Sequence, residues 1–243
     1  MIQTERQDEV VILSLARPEK RNAMLPEMLD TLHHAIESNN SARAIVLLGL
    51  GKVFCAGFDL KACAADSSGG TMRSLLSGLS GCVRAMRECD APIVLGVHGA
   101  AVAGGCALLG GADVVLADRD AKLGYPVTLI GVSPVVSAPF MLAAMRPGVV
   151  RTRQLDPDLI GAARAYEIGM VHELVESSEQ VRERAIEIGI TLANKPGHGC
   201  RTTKRWLNAI CDVSDERIKT GLEGSLSLTG GDEERERLAA LWG

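Results

Sequence analysis

Two glycine-containing segments of the sequence carry residue types and spacings suited to binding a developing negative charge. The first, Val53-Phe-Cys-Ala-Gly-Phe-Asp-Leu-Lys61, follows an apolar run and a turn at Gly51. The second runs from His98 to Asp113 and contains the pair Gly104-Gly105. A glycine pair at a helix start leaves backbone N–H groups free and lets a ligand approach the main chain, and the helix dipole favours negative charge there. One N–H from each segment, directed at one oxygen, would form an oxyanion hole.

The same glycine pattern also has a purely structural interpretation. A Gly-Gly pair between a strand and a helix permits tight packing without any catalytic role. A nucleotide-binding loop is excluded, because no GxGxxG follows the first strand and GxxxxGK[ST] is absent. The glycine pattern alone therefore leaves packing and catalysis both open.

Apolar periodicity predicts the elements that must position these segments. Strands are predicted at 9–15, 44–49, 93–97 and 113–117, and helices at 26–36, 72–87, 104–111, 181–193, 202–210 and 233–241. Strands that alternate with helices indicate an α/β fold with parallel strand pairing. From about residue 179 the predicted elements are all helices, so we expect a core over 1–190 and a C-terminal helical region over 191–243.

Composition limits the partners and the compartment. The 243 residues carry a net charge of −4, which offers no electrostatic reason to bind nucleic acid or an anionic membrane. Seven scattered cysteines without a CxxC pair favour reduced thiols over disulfides or a metal site. The N-terminus lacks a signal-peptide pattern, and the most apolar stretch, 100–117, contains Asp113 and several glycines. We therefore expect a cytoplasmic protein.

Five motifs follow one another along essentially the whole chain. They are Arg17-Pro-Glu-Lys-Arg-Asn-Ala-Met24, Phe54-Cys-Ala-Gly-Phe-Asp-Leu60, Ala103-Gly-Gly-Cys106, Leu123-Gly-Tyr-Pro126 with Leu129-Ile-Gly131, and Ala162-Ala-Arg-Ala-Tyr-Glu-Ile-Gly-Met-Val171. In this order and spacing they make the chain resemble the crotonase (enoyl-CoA hydratase/isomerase) superfamily. The resemblance implies a crotonase-like spiral of repeated β-β-α units over 1–190 and a C-terminal helical region over 191–243 that serves oligomerisation. It also implies a homotrimer or hexamer, and an acyl-CoA or carrier-bound thioester as ligand.

The resemblance also implies roles for individual residues. The two oxyanion N–H donors fall on Phe58 and Gly104, and Ala56 lines the coenzyme A cleft together with the loop that starts at Arg17. Lys20, Arg21 and Lys61 are then candidate phosphate contacts, although ordinary solvated surface charge explains each of them equally well. Coenzyme A enters as part of the substrate, and neither a covalently bound cofactor nor a metal is expected.

The chain departs from the family pattern at the two proton-handling positions. Hydratases of this family place glutamates where this sequence has Ala107 and Val127, and neither side chain can transfer a proton. Tyr125 lies two residues before Val127 and offers a phenol as proton donor, or else is a packed aromatic residue. Other side chains that could replace the missing glutamates are Cys106, Ser133, His98 and Asp66. Each of them also has a purely structural interpretation.

Three functional hypotheses remain open at this point. The first is an enzyme that stabilises an enolate of a thioester, for example in a decarboxylation, which needs no protein base. The second is a non-catalytic acyl-CoA binding or scaffold protein. The third is a hydratase whose carboxylates lie elsewhere in the sequence.

Overall fold

The computed structural model describes residues 1–211 and 213–241; Asp212, Trp242 and Gly243, which belong to the predicted C-terminal region, lie outside the described residues. The strands are β1 (Ile2–Gln7), β2 (Val10–Leu15), β3 (Ala44–Gly49), β4 (Ile93–Val97), β5 (Ala100–Val102), β6 (Val114–Asp118), β7 (Lys122–Gly124), β8 (Ile160–Gly161) and β9 (Glu173–Val175). The helices are α1 (Pro26–Ser38), α2 (Leu60–Ala65), α3 (Gly70–Glu88), α4 (Gly104–Ala107), α5 (Ala138–Ala144), α6 (Pro147–Leu155), α7 (Ala162–Glu167), α8 (Ser178–Ala193), α9 (Gly197–Ile210), α10 (Asp215–Leu226) and α11 (Asp232–Ala240). Short 3-10 turns occupy Pro18–Lys20, Leu108–Gly111, Pro126–Ile130 and Pro134–Ser137.

Two sheets organise the chain. The larger has the order β1-β2-β3-β4-β6-β9, and all of its pairings are parallel except that of β1 with β2. The smaller has the order β5-β7-β8. The carboxyl ends of parallel neighbours meet at one sheet edge, so the loops that follow β3 and β4 come together. The N–H of Phe54 donates a 2.8 Å hydrogen bond to the carbonyl of His98 at that edge.

The large sheet is covered on both faces, which explains its continuous apolar strands. In β2 the side chains of Val11 and Leu13 enter the core shared with α1 and α3, while Val10 and Ile12 face α8. Helix α8 contacts β2, β3, β4 and β6. The predicted division at residue 190 therefore falls inside a helix that packs on the sheet.

The predicted strands at 44–49 and 93–97 are confirmed residue for residue as β3 and β4. Strand β1 was not predicted, because it lies at the sheet edge and is mostly exposed and polar. The single helix predicted over 104–111 is wrong in its second half, where α4 gives way to a 3-10 turn. A methyl group added at Gly110 would lie 2.9 Å from Cβ of Phe140, so this turn is drawn tightly against its neighbours.

The last helices fold back onto the same chain. Helix α10 contacts the 134–137 turn, where Oγ of Ser225 accepts a hydrogen bond from Val136 N–H (2.9 Å) and donates one to the Ser133 carbonyl (2.8 Å). Helix α11 contacts α2 and the 126–130 turn. Among the described residues, no helix is both long and apolar enough to cross a membrane.

Replacing Lys204 by methionine is expected to lower the free energy of unfolding by about 3 kcal/mol, because it removes a buried ammonium and leaves the two carbonyls that it contacts without their donor. The Lys204 ammonium is 6% exposed and bonds to Asp113 Oδ2 (2.8 Å) and to the carbonyls of Met86 (3.0 Å) and Ala91 (2.9 Å), which anchors α9. Urea unfolding measures the loss. Lys219→Met, at an exposed lysine, is the control and should change stability by less than about 0.5 kcal/mol. Equal effects of the two substitutions would contradict this anchoring role.

Candidate functional site

The loop that carries Phe58 is held from both sides by backbone hydrogen bonds. Met24 N–H donates to the Gly57 carbonyl (2.7 Å) and Asp59 N–H donates to the Met24 carbonyl (2.9 Å), which forms a parallel bridge between Met24 and Phe58. In such a bridge the main chain of the central residue points away from the partner strand. Phe58 N–H accordingly donates no hydrogen bond to any of the described residues.

Gly104 begins α4, and its N–H is likewise without an acceptor in the described part of the chain. The preceding residue, Ala103, has φ 52° and ψ −115°, a backbone conformation that residues other than glycine rarely adopt. Its N–H donates to the Gly124 carbonyl (2.8 Å), and its carbonyl accepts from Ala107 N–H (2.9 Å). Strain of this kind is typical of functional loops whose surroundings enforce it.

The two loops touch each other. Gly57 has φ +97°, and a methyl group there would lie 3.1 Å from the Val102 carbonyl oxygen and 3.8 Å from Gly104 N. A methyl group on Gly104 would lie 2.8 Å from Cε1 of the Phe58 ring. The two free N–H groups therefore belong to loops in direct contact, and the Phe58 ring covers Gly104.

Asn22 supports this arrangement, and the sequence analysis assigned it no role. It is fully buried with φ 54°, and its Nδ2 contacts the carbonyl oxygens of Leu50 (2.8 Å), Val53 (3.0 Å) and Phe54 (3.0 Å). One buried amide thus fixes the turn into the Phe58 loop. Its position inside the Arg17–Met24 motif was the one sequence feature that pointed to a role for Asn22. Its contacts with those carbonyls depend on the tertiary fold.

Phe58 and Gly104 both border an apolar cavity of about 280 Å³. Ala107 and Val127 also line it. Its remaining wall is largely aliphatic, and its side-chain hydroxyls come from Tyr125, Ser133 and Ser137. Within residues 1–211 and 213–241, no Asp, Glu, His, Lys or Arg side chain lines this space, which we call the acyl cavity.

Tyr125 is 2% exposed, and its hydroxyl has no hydrogen-bond partner among the described residues. Burial, followed by the neighbouring Cys106, raises the pKa of Tyr125 well above its usual value, so the phenol stays protonated at neutral pH. Burial also raises the pKa of the Cys106 thiol to about 12. Tyr125 can therefore donate a hydrogen bond, whereas Cys106 is a poor nucleophile.

A second, open groove adjoins the acyl cavity and shares Ala56, Phe58 and Leu60 with it. The groove has a volume of about 680 Å³, and all four residues predicted to contact coenzyme A line it, namely Lys20, Arg21, Ala56 and Lys61. The three cations are exposed and form no ion pair in the described part of the chain.

This second groove, which Lys20, Arg21 and Lys61 line, is called the basic groove below. Arg17 and Asp59 also line it and form an ion pair with each other at 2.9 Å. Burial opposes ionisation of Asp59, but the hydrogen bonds from Arg17 and Ala62 N–H outweigh it and lower the pKa of this carboxyl group. Asp59 is therefore charged at neutral pH and stabilises the start of α2 next to Phe58.

The other sequence candidates lie elsewhere or have structural roles. His98 Nε2 lies 3.0 Å from the Gly51 carbonyl, which confirms its structural hydrogen bond. Asp66 accepts hydrogen bonds from Ser68 and Thr71 and lies outside the acyl cavity. Ser133 lines the cavity and caps the following turn by accepting from Val135 N–H (3.3 Å).

Comparison with known proteins gives consistent matches. Residues 5–230 match the family model Enoyl-CoA hydratase/isomerase. The chain is 31% identical over 208 residues to the (7aS)-7a-methyl-1,5-dioxo-2,3,5,6,7,7a-hexahydro-1H-indene-carboxyl-CoA hydrolase of Mycobacterium tuberculosis, covering 83% of this chain and 82% of that protein. It is 29% identical over 210 residues to the 1,2-epoxyphenylacetyl-CoA isomerase of Escherichia coli, covering 82% and 79% respectively.

Solved structures confirm the fold that the resemblance implied. The crystal structure of an enoyl-CoA hydratase from Bacillus halodurans superimposes with a TM-score of 0.88 at 24% identity, covering 98% of this chain and 99% of that one. The architecture is therefore the α/β crotonase fold.

Proposed function

Because this chain belongs to the enoyl-CoA hydratase/isomerase family, we propose that it binds an acyl-CoA thioester and polarises the thioester carbonyl with the N–H groups of Phe58 and Gly104. The observation that carries the proposal is that both N–H groups lack acceptors among the described residues, while Phe58 and Gly104 line the same apolar cavity. A thioester oxygen placed there would accept two hydrogen bonds, which strengthen as negative charge develops on it.

The proposed placement of coenzyme A is the basic groove next to the acyl cavity. The groove leads to the acyl cavity past Ala56, Phe58 and Leu60, so a thioester at this junction would have its acyl group on one side and its nucleotide on the other. Lys20, Arg21 and Lys61 lie where they would meet the phosphates as exposed point charges.

The variant Lys20→Gln/Arg21→Gln/Lys61→Gln should bind acyl-CoA at least about tenfold more weakly, since exposed ion pairs contribute up to about 1 kcal/mol each. Its affinity should also depend less on ionic strength, because salt screens these contacts. Isothermal titration with butanoyl-CoA measures both effects. The matched control removes the same charge from Arg151, Lys195 and Lys219, and should bind like the unaltered protein. A groove variant with unchanged affinity would remove the phosphate assignment.

The proposed chemistry uses an enolate and does not use two carboxylates. In a decarboxylation, the electrons of the breaking C–C bond pass to the α-carbon as CO₂ leaves, and the enolate oxygen is held by the two N–H groups. A proton then returns to the α-carbon from water or from Tyr125. Two related proteins are named as a hydrolase and an isomerase that act on CoA derivatives. These names support the proposal that one kind of CoA-thioester site serves different reactions in different relatives.

The second candidate function is acyl-CoA binding without turnover. It is favoured by the lining of the acyl cavity, in which the described residues place no carboxylate or imidazole. A protein of this kind would bind acyl-CoA tightly and release it unchanged. Single-turnover measurements with excess protein over acyl-CoA separate the two functions.

We further propose a homotrimer or hexamer assembled through α9. Lys204 anchors one side of this helix, whereas Trp206 and Ile210, four residues apart on a face turned away from Lys204, are 65% and 75% exposed. Leu207, which lies beside that face, is 55% exposed. The variant Trp206→Glu/Ile210→Glu should sediment as a monomer in analytical ultracentrifugation, since it places charge in an apolar contact. Lys219→Glu on α10 should leave the assembly unchanged. A monomeric unaltered protein would contradict the proposal.

A cytoplasmic location is part of the same proposal. All seven cysteines are free thiols, and five of them are buried. This thiol content suits a reducing compartment.

A further inference from the structure

The aromatic ring of Phe58 lies at the junction of the acyl cavity and the basic groove. Three residues line both spaces, namely Ala56, Phe58 and Leu60, and Phe58 has the largest side chain of the three. Its ring is half-buried and packs against the core. The proposed function uses only the backbone N–H of Phe58, so the ring is available for a second role.

The edge of this ring lies close to the second proposed donor. A methyl group on Gly104 would lie 2.8 Å from Cε1 and 3.1 Å from Cδ1 of Phe58, and 2.7 Å from Cε of Met24. Since the Cβ position and the N atom of one residue are about 2.5 Å apart, the ring edge lies within about 5.5 Å of Gly104 N. The ring and the Met24 side chain therefore fill the space beside the Gly104 Cα.

The two donors fix where the thioester would lie relative to the ring. An oxygen that accepts from Phe58 N–H and Gly104 N–H holds its carbonyl carbon about 4 Å from both N atoms. The acyl chain leaves this carbon toward the acyl cavity, and the sulfur leaves it toward the basic groove. Because the ring lines both spaces, it borders the first atom on each side of the carbonyl, and on the acyl side that atom is the α-carbon.

The ring is also a stiff boundary. An aromatic side chain turns as one rigid plate and does not change shape around a ligand as a methionine does. A group that meets the ring edge must therefore displace the whole ring, and Met24 and Gly104 already occupy the space beside it. Extra methyl groups in a filled space of this kind are strongly disfavoured.

We propose that the Phe58 ring determines specificity by covering one face of the acyl α-carbon and admitting only a hydrogen atom on that face. This inference rests on the proposed function, since the N–H groups of Phe58 and Gly104 must hold the thioester. The substrate class is an acyl-CoA with at least one α-hydrogen. Of two α-branched epimers, only the one that turns its hydrogen toward the ring fits well.

The test compares butanoyl-CoA with 2,2-dimethylbutanoyl-CoA by isothermal titration of the full chain. The second thioester has no α-hydrogen, so one methyl group must face the ring in every orientation. The unaltered protein should bind it about ten- to a hundredfold more weakly than butanoyl-CoA. The two epimers of 2-methylbutanoyl-CoA should differ in affinity by about fivefold or more.

Phe58→Ala removes the ring, so the two thioesters should then bind within about threefold of each other. Phe58→Leu keeps a packed apolar side chain and should give an intermediate ratio, which provides the test if the alanine variant does not fold. Leu60→Ala is the matched control. It shortens a side chain that is also half-buried and lines both spaces, but the atoms nearest to the Cβ position of Gly104 belong to Phe58 and Met24. This control should keep the full preference for butanoyl-CoA.

The outcomes separate the ring from the donors. Equal affinity of the unaltered protein for butanoyl-CoA and its dimethyl derivative would overturn the role of the ring alone. The same conclusion follows if Phe58→Ala and Phe58→Leu keep the full preference, or if Leu60→Ala loses as much of it as they do. Absence of binding of any acyl-CoA to the unaltered protein would overturn the proposed function and this inference with it.

Discussion

Gly104→Pro should abolish much of the polarisation of a bound thioester carbonyl. The substitution removes one of the two proposed oxyanion donors. Proline is tolerated at the first position of a helix, where an N–H has no intrahelical partner, and Gly104 occupies that position in α4. In any reaction that passes through an enolate, loss of one such donor should lower kcat by about 10²- to 10³-fold.

Infrared difference spectroscopy of an acyl-CoA labelled with ¹³C at the thioester carbonyl measures the effect without knowledge of the reaction. The unaltered protein should shift the carbonyl band to lower frequency, and Gly104→Pro should lose most of the shift. Gly104→Ala is the matched control, because it adds the same Cβ next to Met24 and Phe58 but keeps the N–H. A proline variant that binds the thioester and retains the full shift would refute the proposed donor role.

The unaltered protein should not hydrate crotonyl-CoA, and the variant Ala107→Glu/Val127→Glu should gain this activity. Both positions line the acyl cavity, where Ala107 is 2% exposed and Val127 is half-buried. Addition of water needs one group to activate water and another to protonate the α-carbon, and each such group contributes about 10²- to 10⁴-fold. The rate of the double variant should therefore exceed the unaltered background by at least about 10²-fold.

Loss of crotonyl-CoA absorbance at high protein concentration provides the measurement. The control variant is Ala107→Gln/Val127→Gln, which has nearly the same size but cannot transfer protons. Rapid hydration by the unaltered protein would show that other carboxylates carry the reaction and would restore the hydratase hypothesis. A double variant that binds crotonyl-CoA without any gain would show that these side chains do not flank the substrate.

The buried strands and the order of the glycine-containing loops were predictable from the sequence. Strands β3 and β4 have continuous apolar runs because both faces of the sheet are covered, and such runs are visible without a structure. The start of a helix at Gly104 was predictable from another local feature, a segment of small residues directly after a strand. The exposed edge strand β1 has no such pattern, and its pairing with β2 comes from the tertiary structure.

Family resemblance also led from the sequence to Phe58, Gly104 and the basic loop residues, and these assignments remain predictions. What brings them together is tertiary. Hydrogen bonds between residues distant in the chain, such as those from Asn22 to Val53 and Phe54, depend on loop positions that no local pattern encodes.

The C-terminal helices also show that local sequence patterns do not reveal contacts between distant segments. The acidic residues of α11 form an ordinary charged helix in the sequence, typical of a solvated face. Folding back against α2 and the 126–130 turn buries Glu234 while its neighbour Glu233 stays exposed. The sequence by itself determined the buried strands and the glycine loops, because these depend on local residue type. Only the tertiary structure decided which polar groups lose water and remain free, because burial of a polar group depends on contacts between distant segments.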